Sequence, residues 1–281
     1  MKDFIALTKP GLVIMLVLTT CVGFYLGSDG PVDWLRLLHT LAGTALAAGG
    51  TLALNQFMER DRDAMMRRTR KRPLPAGKLQ PAQALGFGVA ITVAGLLYLA
   101  LVVNVLSCAV TALITVTYLF LYTPLKHRTT LSTVFGAVPG ALPPVTGWAA
   151  ARNELGLEAG VLFAILFLWQ MPHALALAWL FREDYARAGF QLLPAVDPDG
   201  RFTSVQILIN CLALTAFSLV PTILGISGVV YFYAALAAGL GLLGFAIHLT
   251  VTRTEASARN LFLASLVFLL VQFSVMAYDK V

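Results

Sequence analysis

Residues 41–75 read LAGTALAAGGTLALNQFMERDRDAMMRRTRKRPLP, an almost wholly apolar run that ends in a cluster of charge. Three carboxylates, Glu59, Asp61 and Asp63, stand among seven cations: Arg60, Arg62, Arg67, Arg68, Arg70, Lys71 and Arg72. An apolar run of about 20 residues is the length of helix needed to cross a hydrocarbon layer of about 30 Å. Comparable runs recur along the whole chain. Of its 281 residues, 58% are hydrophobic and only 12% charged, roughly half the share of about 25% usual in soluble domains. The sequence therefore predicts an all-α, polytopic membrane protein.

The apolar runs near 10–27, 37–57, 82–103, 105–122, 131–150, 158–180, 203–224, 229–250 and 260–278 give about nine transmembrane helices. The third and fourth are separated only around Asn104, so a single bent segment is the alternative there. No soluble domain, long linker or coiled coil is evident, and residues 1–281 read as one integral-membrane domain. The N-terminal MKDFIALTKP has no signal-cleavage pattern, and the first run is read as a retained span. With the N-terminus in the cytoplasm, 17 of the 20 Lys and Arg residues fall on the cytoplasmic side. Only Arg36, Arg152 and Lys280 lie opposite, as the positive-inside rule asks. Nine spans then put the C-terminus on the opposite side.

The positive-inside rule does not account for carboxylates at a span end. Asn55, Glu59 and Asp63 lie at i, i+4 and i+8, which stacks them along one helix face. Like charges so spaced repel. A bound divalent cation removes the repulsion, and carboxylates with an amide oxygen are hard ligands that suit magnesium completed by substrate phosphate. Asp61 points elsewhere, toward a neighbouring arginine. The arginines beyond Asp63 suit bidentate phosphate contacts. The alternative is a salt-bridged helix end whose cations meet lipid headgroups.

The Asn55–Glu59–Asp63 pattern is similar to the NxxxDxxxD motif of the UbiA superfamily of intramembrane prenyltransferases. LTKPG at 7–11, RTRKRPLP at 68–75, YTPLKHRTT at 122–130, GAVPGALPPVTGW at 136–148, WQMPHALALAW at 169–179 and REDYARAGFQLLP at 182–194 resemble its heme-farnesylating branch. They come in that branch's order and leave only the last three spans without a signature. The resemblance implies a helical bundle around a central cavity open to the cytoplasmic half of a bacterial-type plasma (inner) membrane. It implies Mg2+ as cofactor, with farnesyl diphosphate and heme b as substrates, heme b being no permanent cofactor. Heme O is the implied product, passed toward heme A and terminal oxidases, with a heme A synthase downstream; no nucleic acid is expected.

By the same resemblance, Asn55, Glu59 and Asp63 are catalytic and hold the metal, although Glu59 stands where the motif has Asp. Lys126 and Arg128 are implied as catalytic and diphosphate-binding, and Arg68 and Arg72 as diphosphate-binding. Lys9 is a diphosphate contact or a positive-inside anchor. The second acidic motif of the superfamily, DxxxD, is not intact. Asp184 is its remnant, for a second magnesium or a bridging arginine near the diphosphate. His173, an ionisable residue inside a span, is either a hydrogen-bonded core residue or, as the resemblance favours, a heme contact, to iron or to a propionate. Pro139, Pro143 and Pro144 kink the fifth span or form a cavity wall. Cys21, Cys108 and Cys211 show no metal or disulfide spacing and read as packing residues. A transporter would predict repeated halves, yet residues 55–75 have no counterpart beyond REDY.

Overall fold

The computed structural model describes residues 1–281. A short helix α1 (Lys2–Leu7) leads into α2 (Pro10–Gly27) and the long α3 (Trp34–Met65). Helix α4 (Pro81–Tyr98) ends in a π-helical turn, Leu99–Val103; α5 (Val105–Val116) ends in another, Thr117–Tyr122, followed by α6 (Thr123–Leu125). Then come α7 (Ser132–Ala141), α8 (Pro143–Arg152), α9 (Leu157–Leu180), α10 (Arg182–Arg187) and α11 (Leu193–Val196). The chain closes with α12 (Arg201–Phe217), α13 (Val220–Ile223), α14 (Val229–Thr252) and α15 (Glu255–Tyr278).

Eight helical segments are long and apolar enough to cross a membrane. The ninth apolar stretch is the one that no single helix spans. Pro143 and Pro144 supply no N–H donors, so the ladder of α7 cannot continue through them and the chain divides at Leu142. The two pieces together still traverse the bundle. Lys126 precedes them at one face, and at the other Arg152 Nε donates to the Gly27 carbonyl at 2.9 Å. The third and fourth spans are two separate helices rather than one bent segment. Asn104 between them is fully extended, and its side chain caps α5 by accepting from Ser107 N at 2.7 Å.

Packing depends on close backbone approach. A Cβ at Gly147 would sit 1.9 Å from the Thr20 carbonyl oxygen, and one at Gly23 2.0 Å from that of Pro144, so at these two points α2 and α8 approach too closely for any residue but glycine. The largest core cluster surrounds α9, with Trp179, Leu162, Ile165 and Leu175 buried against α12 and α15. Large apolar side chains such as Leu101, Phe120 and Phe202 face outward, which suits a lipid solvent rather than water. All three cysteines are free thiols, as packing residues would be.

Helix α3 is the longest element. Its 32 residues extend about 48 Å, well beyond a hydrocarbon layer. The last three turns, which carry Asn55, Glu59 and Asp63, therefore lie at the far end of the crossing.

Candidate active site

The face predicted by spacing forms, and it is buried. Asn55 and Asp63 are each 1% exposed and Glu59 is 6% exposed. Asp61, on the opposite face, is exposed and pairs with Arg60 at 3.6 Å. Burying carboxylates is unfavourable unless they are paired, and each is. Lys126 Nζ lies 2.8 Å from Glu59 Oε1, and Arg72 Nη1 lies 2.7 Å from Asp63 Oδ2. Lys9 Nζ reaches Asn55 Oδ1 at 3.5 Å. Three cations from three separate segments thus converge on one face of α3.

Local backbone geometry aims each of them. Lys9 caps α2 in the left-handed region, φ 49° and ψ 67°, a costly conformation for a residue with a Cβ. Lys126 comes directly after α6, its ammonium 4.4 Å from the centre of the Tyr122 ring and 5.8 Å from that of Tyr118. Burial works against its charge, but the Glu59 carboxylate and these two phenols outweigh that and push its pKa above the usual lysine value. For Lys9 burial prevails, helped by repulsion from Arg72 and Lys126, and its pKa falls to about 7. Burial thus weighs differently on the two ammoniums.

The oxygens suit a hard cation. Asp63 Oδ1 is buried without any hydrogen-bond partner, which a carboxylate oxygen rarely is. Asn55 Oδ1 has only the long contact from Lys9, while its Nδ2 donates to Thr123 Oγ1 at 3.0 Å. That bond fixes the amide with its oxygen turned to the site. No three His, Cys, Asp or Glu side chains come together anywhere. Two carboxylates and an amide do not fill a magnesium shell, so water and phosphate would complete it.

Asp184 is placed differently. Its Oδ1 accepts from Arg67 N at 3.2 Å and Arg187 Nη1 at 2.9 Å, and its Oδ2 from Arg68 N at 3.1 Å. Burial alone would raise its pKa, but the two backbone N–H donors and Arg187 bring it below the usual carboxylate value. With both oxygens so engaged it is a clasp on the loop after α3, bridging to an arginine, and not an open metal ligand. Arg62 Nη1 donates to the Ala188 carbonyl at 2.9 Å, and Gln191 N donates to the Lys126 carbonyl at 2.7 Å. The segment from α10 to Leu192 therefore ties down both cation-bearing loops.

The other expected residues are not all brought in. Arg68 lies over the Phe181 ring at 4.8 Å and donates to the Tyr185 hydroxyl at 3.3 Å, away from the carboxylates. Arg128 is exposed and its side chain makes no hydrogen bond or ion pair. His173 stands apart on α9, with Nδ1 2.9 Å from Ser265 Oγ. Thr123, Tyr118 and Tyr122 join the site, although no spacing pattern marks them. Tyr122 and Thr123 open the stretch YTPLKHRTT, the one signal that could have drawn attention to them.

A buried row of hard oxygens ringed by cations, at the end of a bundle of apolar helices, suits an anion carried by a lipid-soluble molecule. The chain belongs to the UbiA prenyltransferase family, whose sequence profile matches residues 16–271. It is an integral membrane prenyltransferase. Within that family its sequence is 47% identical to a protoheme IX farnesyltransferase of Solibacter usitatus, over all of this chain and 99% of the relative. It is 40% identical to the protoheme IX farnesyltransferase of Koribacter versatilis, over all of this chain and 94% of that one. The fold is similar to a structure of a digeranylgeranylglyceryl phosphate synthase, with TM-score 0.82, 16% identity, and 99% and 97% of the two chains covered. It is also similar to a UbiA homologue from Archaeoglobus fulgidus bound to GPP and Mg2+, with TM-score 0.68, 14% identity, and 98% and 99% covered.

Proposed function

We propose that the protein transfers the farnesyl group of farnesyl diphosphate to a vinyl group of heme b, releasing diphosphate and giving heme O. The observation that carries the reading is the buried Asn55–Glu59–Asp63 row with its unpartnered Asp63 oxygen and its three converging cations. The substrates are those of the relatives, named protoheme IX farnesyltransferases at 47% and 40% identity over the whole chain. The Archaeoglobus homologue bound to GPP and Mg2+ supports a metal-bound prenyl diphosphate in this fold.

Asn55, Glu59 and Asp63 would hold magnesium. When bound, the ion supplies positive charge to the leaving diphosphate. Lys126, Arg72 and Lys9 bind the remaining phosphate oxygens, Lys126 and Arg72 exchanging carboxylate partners and Lys9 its amide partner for phosphate. As the allylic C–O bond breaks, both electrons pass to the diphosphate, whose growing charge these cations stabilise more than they stabilise the intact substrate. The allylic carbon then bonds to the terminal vinyl carbon of heme. Water adds at the inner carbon and loses a proton, leaving a hydroxyethylfarnesyl group. Apolar helix walls keep water from the allylic cation before it meets the vinyl group.

The site would open to the cytoplasm of a bacterial plasma membrane, with product passing to heme A synthesis. The test is mass spectrometry of heme after incubating the detergent-purified protein with heme b, farnesyl diphosphate and Mg2+. A heme product heavier by one farnesyl group and one hydroxyl is expected, and it should vanish with EDTA. Unchanged heme from a folded protein would sink the assignment.

A further inference from the structure

The last three helices carry no sequence signature, yet one of them holds a buried side chain that acts on His173. Ser265 on α15 is 0% exposed, and its Oγ lies 2.9 Å from His173 Nδ1 and 2.6 Å from the Phe262 carbonyl oxygen. Trp169 Nε1 donates to the Ser265 carbonyl at 2.7 Å, locking α9 to α15 at this level. The imidazole is held between two rings. Trp169 stacks on it with centroids 4.5 Å apart and planes 21° apart, and Phe262 lies at 4.8 Å.

Proton counting then decides the tautomer. A carbonyl only accepts, and a serine hydroxyl has one proton to give. If that proton pointed to Nδ1, two oxygen acceptors would face each other at 2.6 Å with nothing between them. The hydroxyl proton is therefore committed to Phe262, and the Ser265 lone pair faces His173. Nδ1 must be the donor. In a neutral imidazole the other nitrogen, Nε2, then carries no proton. Nε2 has no hydrogen-bond partner in the protein, and it is not sealed in the core, since His173 is only partly buried.

We propose that Ser265 is a positioning residue that fixes His173 as the Nδ1–H tautomer, so that Nε2 presents a lone pair to the iron of heme. The inference rests on heme being the acceptor substrate, and it selects between two ways of meeting it. To the neutral ring a propionate oxygen would bring a second acceptor against Nε2; only a ring protonated at both nitrogens could donate to it. Ferrous or ferric iron is a Lewis acid and accepts that lone pair. Outer-shell hydrogen bonds of this kind orient metal-ligating histidines and raise their basicity.

The test is resonance Raman and optical spectroscopy of heme b titrated into the detergent-purified protein, comparing wild type with His173→Ala, Ser265→Ala and Ser265→Thr. Wild-type ferrous heme should show an iron–imidazole stretching band. His173→Ala should lose it and regain it with added imidazole. Ser265→Ala should shift the band and weaken heme binding about tenfold, and Ser265→Thr should restore both. Heme that binds without the band, or a band that survives in His173→Ala, overturns the inference and leaves heme as the acceptor. A Ser265→Ala spectrum and affinity equal to wild type overturn the positioning role. Failure of folded protein to bind heme at all overturns the acceptor assignment itself.

Discussion

At the scale of single residues, the site is a balance of buried charges, and removing one partner exposes what the other costs. Glu59 and Lys126 are both buried and 2.8 Å apart. Lys126→Ala leaves an uncompensated buried carboxylate, which typically destabilises by about 3–5 kcal/mol. The expected outcome is a large fall in the thermal midpoint in detergent together with loss of turnover. The double variant Glu59→Gln, Lys126→Met removes both charges and should recover most of the midpoint while remaining inactive. That split separates a pair kept for chemistry from one kept for stability. Arg128, exposed and unpartnered, gives a contrast. Arg128→Ala should leave the midpoint unchanged, and any loss of activity should appear in KM for the prenyl diphosphate.

At the scale of elements, the segment from α10 to Leu192 is a clasp whose strength depends on one carboxylate. The Asp184 pKa lies below its unfolded value because backbone N–H groups of Arg67 and Arg68 and the Arg187 guanidinium favour the anion over the cost of burial. A depressed carboxylate contributes stability above its unfolded pKa of about 3.9 and loses it as pH falls through the lower folded value. Wild type should therefore be more stable than Asp184→Asn at pH 7, and the gap should close below about pH 4. At neutral pH the variant should also be cut faster by trypsin at Arg67, Arg68 and Arg70, as the loop after α3 loosens. How much of this was legible differs by element. The stacking of Asn55, Glu59 and Asp63 was visible because helical spacing is a local property of three residues on one element. The break at Leu142 was announced by Pro143 and Pro144, though not that it would divide the span into two helices. Thr123 and Ser265 were invisible. Each is an ordinary polar residue in an apolar helix, and only tertiary packing brings it to Asn55 or His173. REDYARAG pointed to Asp184, but not to the backbone donors that occupy it.

At the scale of the whole molecule, the distribution of charge along the chain predicts an orientation, and the end of α3 carries the proposed site. The nine crossings inferred from apolar runs correspond to eight long apolar segments and one divided at Leu142. The asymmetry of 17 cations against three predicts that the loop after α3 faces the cytoplasm. In a variant whose native cysteines are replaced, a membrane-impermeant maleimide should label Asn153→Cys in intact spheroplasts. Arg70→Cys should react only after the membrane is opened, and the reverse pattern would invert the topology. The proposed chemistry depends on one buried face of α3 holding a metal-bound diphosphate. Manganese in place of magnesium makes that directly visible by electron paramagnetic resonance, using a non-hydrolysable farnesyl diphosphate analogue. Wild type should bind Mn2+ with a 31P hyperfine coupling to the analogue, and folded Asp63→Ala should lose both the tight site and the coupling. An unchanged site and coupling in Asp63→Ala would mean that the metal is held elsewhere and that this face of α3 is not its ligand.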